Sequence, residues 1–401
     1  MITYLILMEG EFLMKDLYKI LIIDLKKREY SVEIVDNDIS DFFIGGYGIG
    51  LWWLSEHTDV SNPLMIFTSG ISDKANPIYK YIIMTKTSKG KIEYGNMGGN
   101  FGSFLKSNDY DGLIILNNSN SLVDIFIDGS TIKFENSEQI STRKNSYIYD
   151  SLKNKFGQDI STLYITESAM RGDLLARVIS DKYRGVSKNL AYTFFNKNIA
   201  SISIRENNYR LIKNYPSSLI NTNSRCEGCI TGCRMDRKNK ATSVFTDLEK
   251  SELNLKKNYQ IKKDLDEYGI DLFGLSKSIE FAYENLKDIY HIESLEIDEL
   301  EKIVDSIISP NRSIIYEDLA NGVIHLNEKY KISDPKKTSK ESKDTLKVID
   351  SAAICLFSVN SYQLSDVSYA INHLGNKNYN SYQLEELLLE IKKIESKLKN
   401  D

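Results

Sequence analysis

Cysteine is scarce in this chain, with four residues in 401. That is too few for a disulfide-framed secreted fold. Positive charge is not in excess either: the formal net charge is −5, which leaves no basic footprint for nucleic acid. Lysine clusters such as Lys336-Lys337 read as solvated loop charge. No apolar run is long enough to span a bilayer, so no membrane partner is expected. The opening MITYLILMEGEF is apolar but short. It carries Glu9 and Glu11, has no basic lead and no small-residue cleavage site, and so makes a poor signal peptide. Residues 1–14 read as an N-terminal extension, and a cytoplasmic protein is expected. There is no evident internal repeat and no low-complexity segment.

What is present is ordinary for a globular protein: 41% hydrophobic and 27% charged residues. The length suggests two or three domains. Short runs rich in Ile, Leu, Val and Tyr predict strands over 17–25, 30–35, 64–68, 81–85, 112–116, 123–127, 162–165, 176–180 and 200–204. Few helices are expected there, apart from 51–56 after a glycine run. Past residue 210 the apolar spacing changes to three and four, which predicts helices over 264–286, 297–308, 316–329 and 383–398. The last carries Leu384, Leu387, Leu388, Ile391, Ile394 and Leu398 on one stripe, suited to packing on the domain body. Residues 331–345 read as a polar loop. The fold class is α+β, with a β-rich domain over 15–207 and helical parts over 208–330 and 331–401.

The four cysteines carry the chemistry. Cys226, Cys229 and Cys233 stand at C-x2-C-x3-C, and Cys355 follows 122 residues later. Such a loop can wrap one corner of a cubane, with Gly228 and Gly232 letting the backbone turn tightly. A [4Fe–4S] cluster needs a fourth ligand, and Cys355 is the remaining thiol. A four-cysteine zinc site stays open on spacing alone, although zinc more often takes two C-x2-C knuckles. The order of spacings is the reverse of the radical-SAM pattern.

Around these residues the sequence resembles the aldehyde:ferredoxin oxidoreductase family of tungsten- or molybdenum-pterin enzymes. Asp266-Glu267-Tyr268-Gly269-Ile270-Asp271 is similar to its first pterin motif. Asp350-Ser351-Ala352-Ala353-Ile354-Cys355 is similar to its second, with Ala in place of Gly, and ends on the fourth cysteine. Phe43–Gly50, Asn62–Gly70, Tyr94–Lys106 and Tyr110–Ile115 resemble further family segments. The resemblance covers most of residues 15–398. It implies a β-rich domain followed by helical domains, a [4Fe–4S] cluster on the four cysteines, and a tungsten- or molybdenum-pterin. Lys80, Asn96, Gly98, Gly99, Asp266, Gly269, Ile270, Asp271, Asp350 and Ile354 are the implied cofactor-binding residues. The implied activity is two-electron oxo chemistry, with electrons leaving through the cluster to ferredoxin or another redox protein in an anaerobic setting. The substrate would be a small molecule or one delivered by another protein, and a homo- or hetero-oligomer is possible.

The chain also departs from the family. Ser187-Lys188-Asn189-Leu190-Ala191 stands where the family has a glycine-rich signature, so a backbone contact on the phosphate side is lost or moved. Lys80 replaces an Arg and keeps the charge without the planar fork. No Glu falls cleanly at the family's acid/base position; Asp247 and Glu249 are the nearest candidates, and surface carboxylates the plainer reading. The span between the two motifs is short and lacks the family's catalytic histidine. His325 reads as structural, and His57, His291 and His373 have no supporting context. An oxidoreductase is favoured because both pterin-type motifs persist. The alternative is a catalytically degenerate paralogue that keeps its cluster as an electron relay or complex subunit.

Overall fold

The apolar runs of the N-terminal half are continuous because their strands are buried on both faces. In the computed structural model, which describes residues 17–71, 80–137, 144–182, 184–187, 189–207, 258–332, 341–355, 363–375 and 377–400, the first sheet holds β1 (Tyr18–Asp24), β2 (Glu29–Val35), β3 (Leu64–Thr68), β4 (Lys80–Lys86), β5 (Ile92–Gly98) and β6 (Gly112–Leu116). Along β3, Leu64 and Ile66 face the second sheet, whereas Met65 and Phe67 face a layer of helices. A period-two strand with core on both sides must be apolar at every position.

The second sheet holds β7 (Val123–Asp128), β8 (Thr131–Asn136), β9 (Ile160–Ile165), β10 (Val178–Ser180), β11 (Arg184–Val186) and β12 (Ile199–Arg205). The sheet orders are β2-β1-β6-β3-β4-β5 and β8-β7-β12-β9-β10-β11. With the second set renumbered from one, the two orders are identical. The single parallel pair also falls at the same place, β1 with β6 and β7 with β12. The N-terminal domain is therefore a repeated six-stranded unit, although no repeat is evident in the sequence. Topology needs only the pattern of buried apolar runs, which many residue choices satisfy.

The two units meet edge to edge at equivalent strands. A Cβ on Gly95 of β5 would lie 2.0 Å from the Val186 side chain of β11. Tyr81 of β4 donates its hydroxyl to Ser180 Oγ of β10 at 3.0 Å. Helices α3 (Phe101–Ser107) and α6 (Leu190–Asn196) follow β5 and β11 and sit within the core between the sheets. Nine predicted strands are present; β5, β8 and β11 are additional.

Helices were expected to be few here, but six lie among the described residues before position 207. Two of them matter for the site. Helix α2 (Gly46–Glu56) starts within the glycine run, and α4 (Asn145–Phe156) is its counterpart in the second unit. The outer face of the first sheet packs on α2, α12 (Glu341–Ser351), α13 (Leu364–Gly375) and α14 (Ser381–Asn400). The predicted apolar stripe of the last helix is buried there at Leu384, Leu387, Ile391, Ile394 and Leu398. The outer face of the second sheet packs on α4. A separate core joins α7 (Tyr259–Tyr268), α8 (Leu272–Asn285), α9 (Lys287–Tyr290), α10 (Ile297–Ile308) and α11 (Ile314–Tyr330). The single helix predicted over 264–286 is two helices, broken at Gly269. The polar loop predicted to reach Thr345 ends earlier, where α12 begins.

The α7–α11 core is fastened to the second unit by a buried ion pair. The side chains of Arg312, between α10 and α11, and Asp173 are 7% and 2% exposed, and both guanidinium amino groups donate to the carboxylate. Removing one partner leaves the other charged and dry. Arg312→Met should therefore lower unfolding stability in urea by about 3–5 kcal/mol. The double variant Asp173→Leu/Arg312→Met should recover most of that loss.

Candidate functional site

Each of the two motifs singled out in the sequence is the last turn of a helix, closed in the same way. In the first, Gly269 follows α7 with φ +71°; its N–H donates to Asp266 O at 3.3 Å, and Ile270 N–H donates to Leu265 O at 2.9 Å. In the second, Ala353 follows α12 with φ +47°; its N–H donates to Asp350 O at 3.1 Å, and Ile354 N–H donates to Ile349 O at 3.2 Å. These bonds define a Schellman turn, with a left-handed residue just past the helix and an apolar residue after it packed on the last turn. The pattern D-x-x-G/A-I thus has a local physical meaning. Ile270 packs in one core with Leu265, and Ile354 in another with Ile349.

The leading aspartates are not explained by the turn. A carboxylate in the last turn of a helix sits at the negative end of its dipole, which is unfavourable. Each aspartate finds compensation in the β-rich domain. Arg177 Nη2 donates to Asp266 Oδ1 at 2.7 Å. Asn96 Nδ2 donates to Asp350 Oδ1 at 2.8 Å and to Ile354 O at 3.2 Å. Burial and the Asp350 carboxylate push the Tyr94 phenol well above its usual range, so it stays protonated and donates. Tyr47 stacks beside Tyr94 at 4.1 Å and donates to Glu395 of α14 at 2.6 Å, and Lys347 also donates to Glu395 at 2.7 Å.

The two turns dock on equivalent places of the repeated units. The first turn bonds to the start of α4, where Ser146 N–H and Oγ donate to Glu267 Oε2 at 3.0 and 2.8 Å. The second lies against the start of α2. There Gly46 has φ +40°, and a Cβ on it would stand 2.2 Å from Asp350 O. The glycines of the Phe43–Gly50 run thus admit the end of α12 against the start of α2. The first turn also forms a bridge between Ala176 and Ile270, with Arg177 N–H donating to Gly269 O at 2.8 Å and Asp271 N–H to Leu175 O at 2.9 Å. Asp271 caps α8, accepting from the N–H groups of Phe273 and Gly274, and also accepts from Ser187.

Between the docked turns lie the β5–α3 loop and the β10–β11 edge. Lys80 opens β4 opposite Gly98. Gly98 and Gly99 end β5, and Gly99 has φ +128°. Ten buried side-chain nitrogen or oxygen atoms have no hydrogen-bond partner among the described residues. Half of them are here: Asn96 Oδ1, Asn100 Oδ1, Arg177 Nε, and Nε and Nη2 of Arg184. Buried polar atoms are normally satisfied, so their concentration at one place makes it a candidate ligand site. The mixture of acceptors and guanidinium donors fits a pterin bearing a phosphate. The missing glycine signature also matters less than its letters suggest. Asn189 holds the left-handed conformation there, φ +60°, which Asn adopts more readily than most residues.

Of the implied cofactor residues, the structure gathers Lys80, Asn96, Gly98, Gly99, Asp350 and Ile354 around the first unit, and Asp266, Gly269, Ile270 and Asp271 around the second. Tyr47 and Tyr94, within the Phe43–Gly50 and Tyr94–Lys106 segments, join the surroundings, as do Arg177, Arg184 and Glu395, which had no sequence signal of their own. Cys226, Cys229, Cys233, Asp247 and Glu249 lie outside the described residues. Cys355 is half-buried at the end of the second turn. No group of metal-ligating side chains occurs among the described residues. His325 Nε2 bonds Asp318 Oδ1 at 2.9 Å, and His57 stacks on Trp53 at 4.0 Å. No described helix is long and apolar enough to cross a membrane.

Comparison with known proteins finds a family model and solved structures that this chain resembles. Residues 20–206 match the family model of the aldehyde ferredoxin oxidoreductase N-terminal domain. No curated protein matches. The fold is similar to a chain of the active site complex BamBC of benzoyl coenzyme A reductase, solved in complex with 1,5-dienoyl-CoA. The TM-score is 0.68 at 12% identity, covering 96% of this chain and 88% of that one. The likeness in fold thus extends beyond the family match into the helical part.

The two turns differ in what they tolerate. Gly269→Ala would place a Cβ 2.0 Å from Thr166 Oγ1 and force a left-handed alanine. It should cost about 2 kcal/mol or more in urea unfolding. Ala353→Gly removes strain but also a buried methyl, and should change stability by less than about 1 kcal/mol.

Proposed function

We propose that this chain, which carries the N-terminal domain of the aldehyde ferredoxin oxidoreductase family, is an oxidoreductase that holds a tungsten- or molybdenum-pterin across its two matched helix-end turns. The observation that carries this reading is the pair of Schellman turns, each leading with an aspartate, docked at equivalent places on a repeated unit. A cofactor with two similar halves suits a protein with two similar receiving places.

In this reading Asp266 and Asp350 are acceptors for pterin N–H groups, and Asn96 and the Gly98–Gly99 turn face the phosphate side. Lys80 and Arg184 supply positive charge there. When bound, the metal–pterin supplies two-electron oxo transfer, and the protein supplies position, exclusion of water and electrostatic tuning. Tyr94, kept protonated, and Asn96 hold the Asp350 carboxylate at a fixed orientation. Cys226, Cys229, Cys233 and Cys355 hold a [4Fe–4S] cluster through which electrons leave singly. Cys355 ends the second turn and thereby places that ligand next to the pterin-facing aspartate. The acceptor is ferredoxin or a similar redox protein.

A catalytically degenerate relay subunit is the second reading. The observation in its favour is that both leading aspartates already have protein partners, Arg177 for Asp266 and Asn96 for Asp350. Metal content separates the two. Anaerobically purified chain should contain about four iron atoms and one tungsten or molybdenum, with extractable pterin. Iron without tungsten, molybdenum or pterin would leave only the relay. Zinc without iron would exclude both. Cys355→Ser should lower iron content to less than about half by metal analysis and bleach the brown cluster absorbance.

A further inference from the structure

We propose that Arg184 binds a phosphate-group anion at the seam between the two sheet units. Arg184 opens β11 and is 4% exposed. Its Nε and Nη2 are buried and have no hydrogen-bond partner. A guanidinium does not lose its proton in a protein, so this is a buried cation with donors left over. Such a group is costly unless a charge partner completes it.

The nearby carboxylate does not complete it. Asp181 accepts from Ser161 Oγ at 2.9 and 2.8 Å, from Thr162 N–H at 2.9 Å and from Asn100 N–H at 3.1 Å. Both oxygens are thereby engaged, and no ion pair joins Asp181 to Arg184 among the described residues. The backbone opposite is built for close approach. A Cβ on Gly99 would lie 2.7 Å from Ser180 Oγ, 3.1 Å from Asp181 Oδ2 and 3.5 Å from Arg184 Cδ. Gly98, the neighbour of Gly99, pairs with Lys80 across the β4–β5 ladder. Two cationic residues therefore flank one glycine turn. The planar fork of Arg matches two oxygens of a phosphate at once.

Arg184 opens the strand that runs directly into Ser187–Ala191, the stretch that stands where the family resemblance puts a glycine signature. Only the source of the phosphate rests on the pterin reading; the anion site stands on the burial and unpaired donors of Arg184.

The test uses full-length protein made in a host unable to synthesise pterin cofactors. Inorganic phosphate and pyrophosphate are titrated against chloride at constant ionic strength, and thermal unfolding is followed. Wild-type protein should show a saturable rise of several degrees in its midpoint. Arg184→Met should show no rise, and without phosphate its midpoint should equal or exceed that of wild type, since an unpaired buried charge has gone. Arg184→Lys, which keeps the charge, should fold and need about tenfold more phosphate. A flat wild-type titration overturns the inference. So does an unchanged phosphate response in either variant, or an Arg184→Met midpoint well below wild type without anion. A parallel preparation from a pterin-competent host separates the sources. Phosphate binding that depends on Arg184, in a protein that never carries pterin, supports the anion site and sinks the cofactor reading. Wild-type pterin content and an unchanged phosphate response in Arg184→Met sink the anion site and leave the cofactor reading standing.

Discussion

The helix-end turn is the constraint on which the rest of the structure depends. A helix that stops in a Schellman turn leaves its last carbonyls satisfied, sends the chain off at a fixed angle and buries one apolar residue against its own last turn. Here the device is used twice, at Gly269 and at Ala353, and each time it brings an aspartate to the edge of the β-rich domain. Those aspartates oppose the helix dipole and carry no stabilising logic of their own. Their partners Asn96 and Tyr94 belong to β5, and Arg177 directly precedes β10. Beside the apolar packing and the Arg312–Asp173 ion pair, the helical half of the chain is therefore joined to the sheet half by polar groups at both turns.

The repeated sheet unit gives this arrangement its symmetry. Equivalent strands β5 and β11 meet at the seam, and equivalent helices α2 and α4 receive the two turns. The sequence between the repeats has diverged, and the divergence is chemical. One unit offers Asn96 and two glycines; the other offers Arg177 and Arg184. An approximately symmetric frame with unlike linings can hold a cofactor with two like halves while giving each half a different environment. Half of the buried polar atoms without partners among the described residues lie at that seam, which is what makes it the candidate site.

Much of the fold was legible because doubly buried strands must be apolar at every position. Eight of the nine predicted strands follow from that rule; β2 is largely exposed and was legible from its Tyr, Val and Ile content instead. β5 escaped it because Gly95 and Asn96 interrupt its apolar run, and β11 because three residues are too few to show a period. β8 was detectable from the alternation in Thr131–Asn136, weakened by exposure on both faces. The break between α7 and α8 was hidden because apolar spacing runs through Gly269 without a change of phase. The repeat was invisible because topology conserves burial and not identity. At the site, the two motifs could be read because they are contiguous. Tyr47 and Glu395, 348 residues apart, could not. Nor could Arg184, since no sequence feature distinguishes a buried arginine from a surface one.

The central claim is that both turns, and not one alone, hold the cofactor. Its most direct test is the pterin content of anaerobically purified wild type, Asp266→Asn and Asp350→Asn, measured as the fluorescent oxidised pterin released per folded chain. The account predicts that wild type carries pterin on both sides and that each single substitution loses about half of it or more. Pterin content unchanged in either variant, with the chain folded, would contradict it.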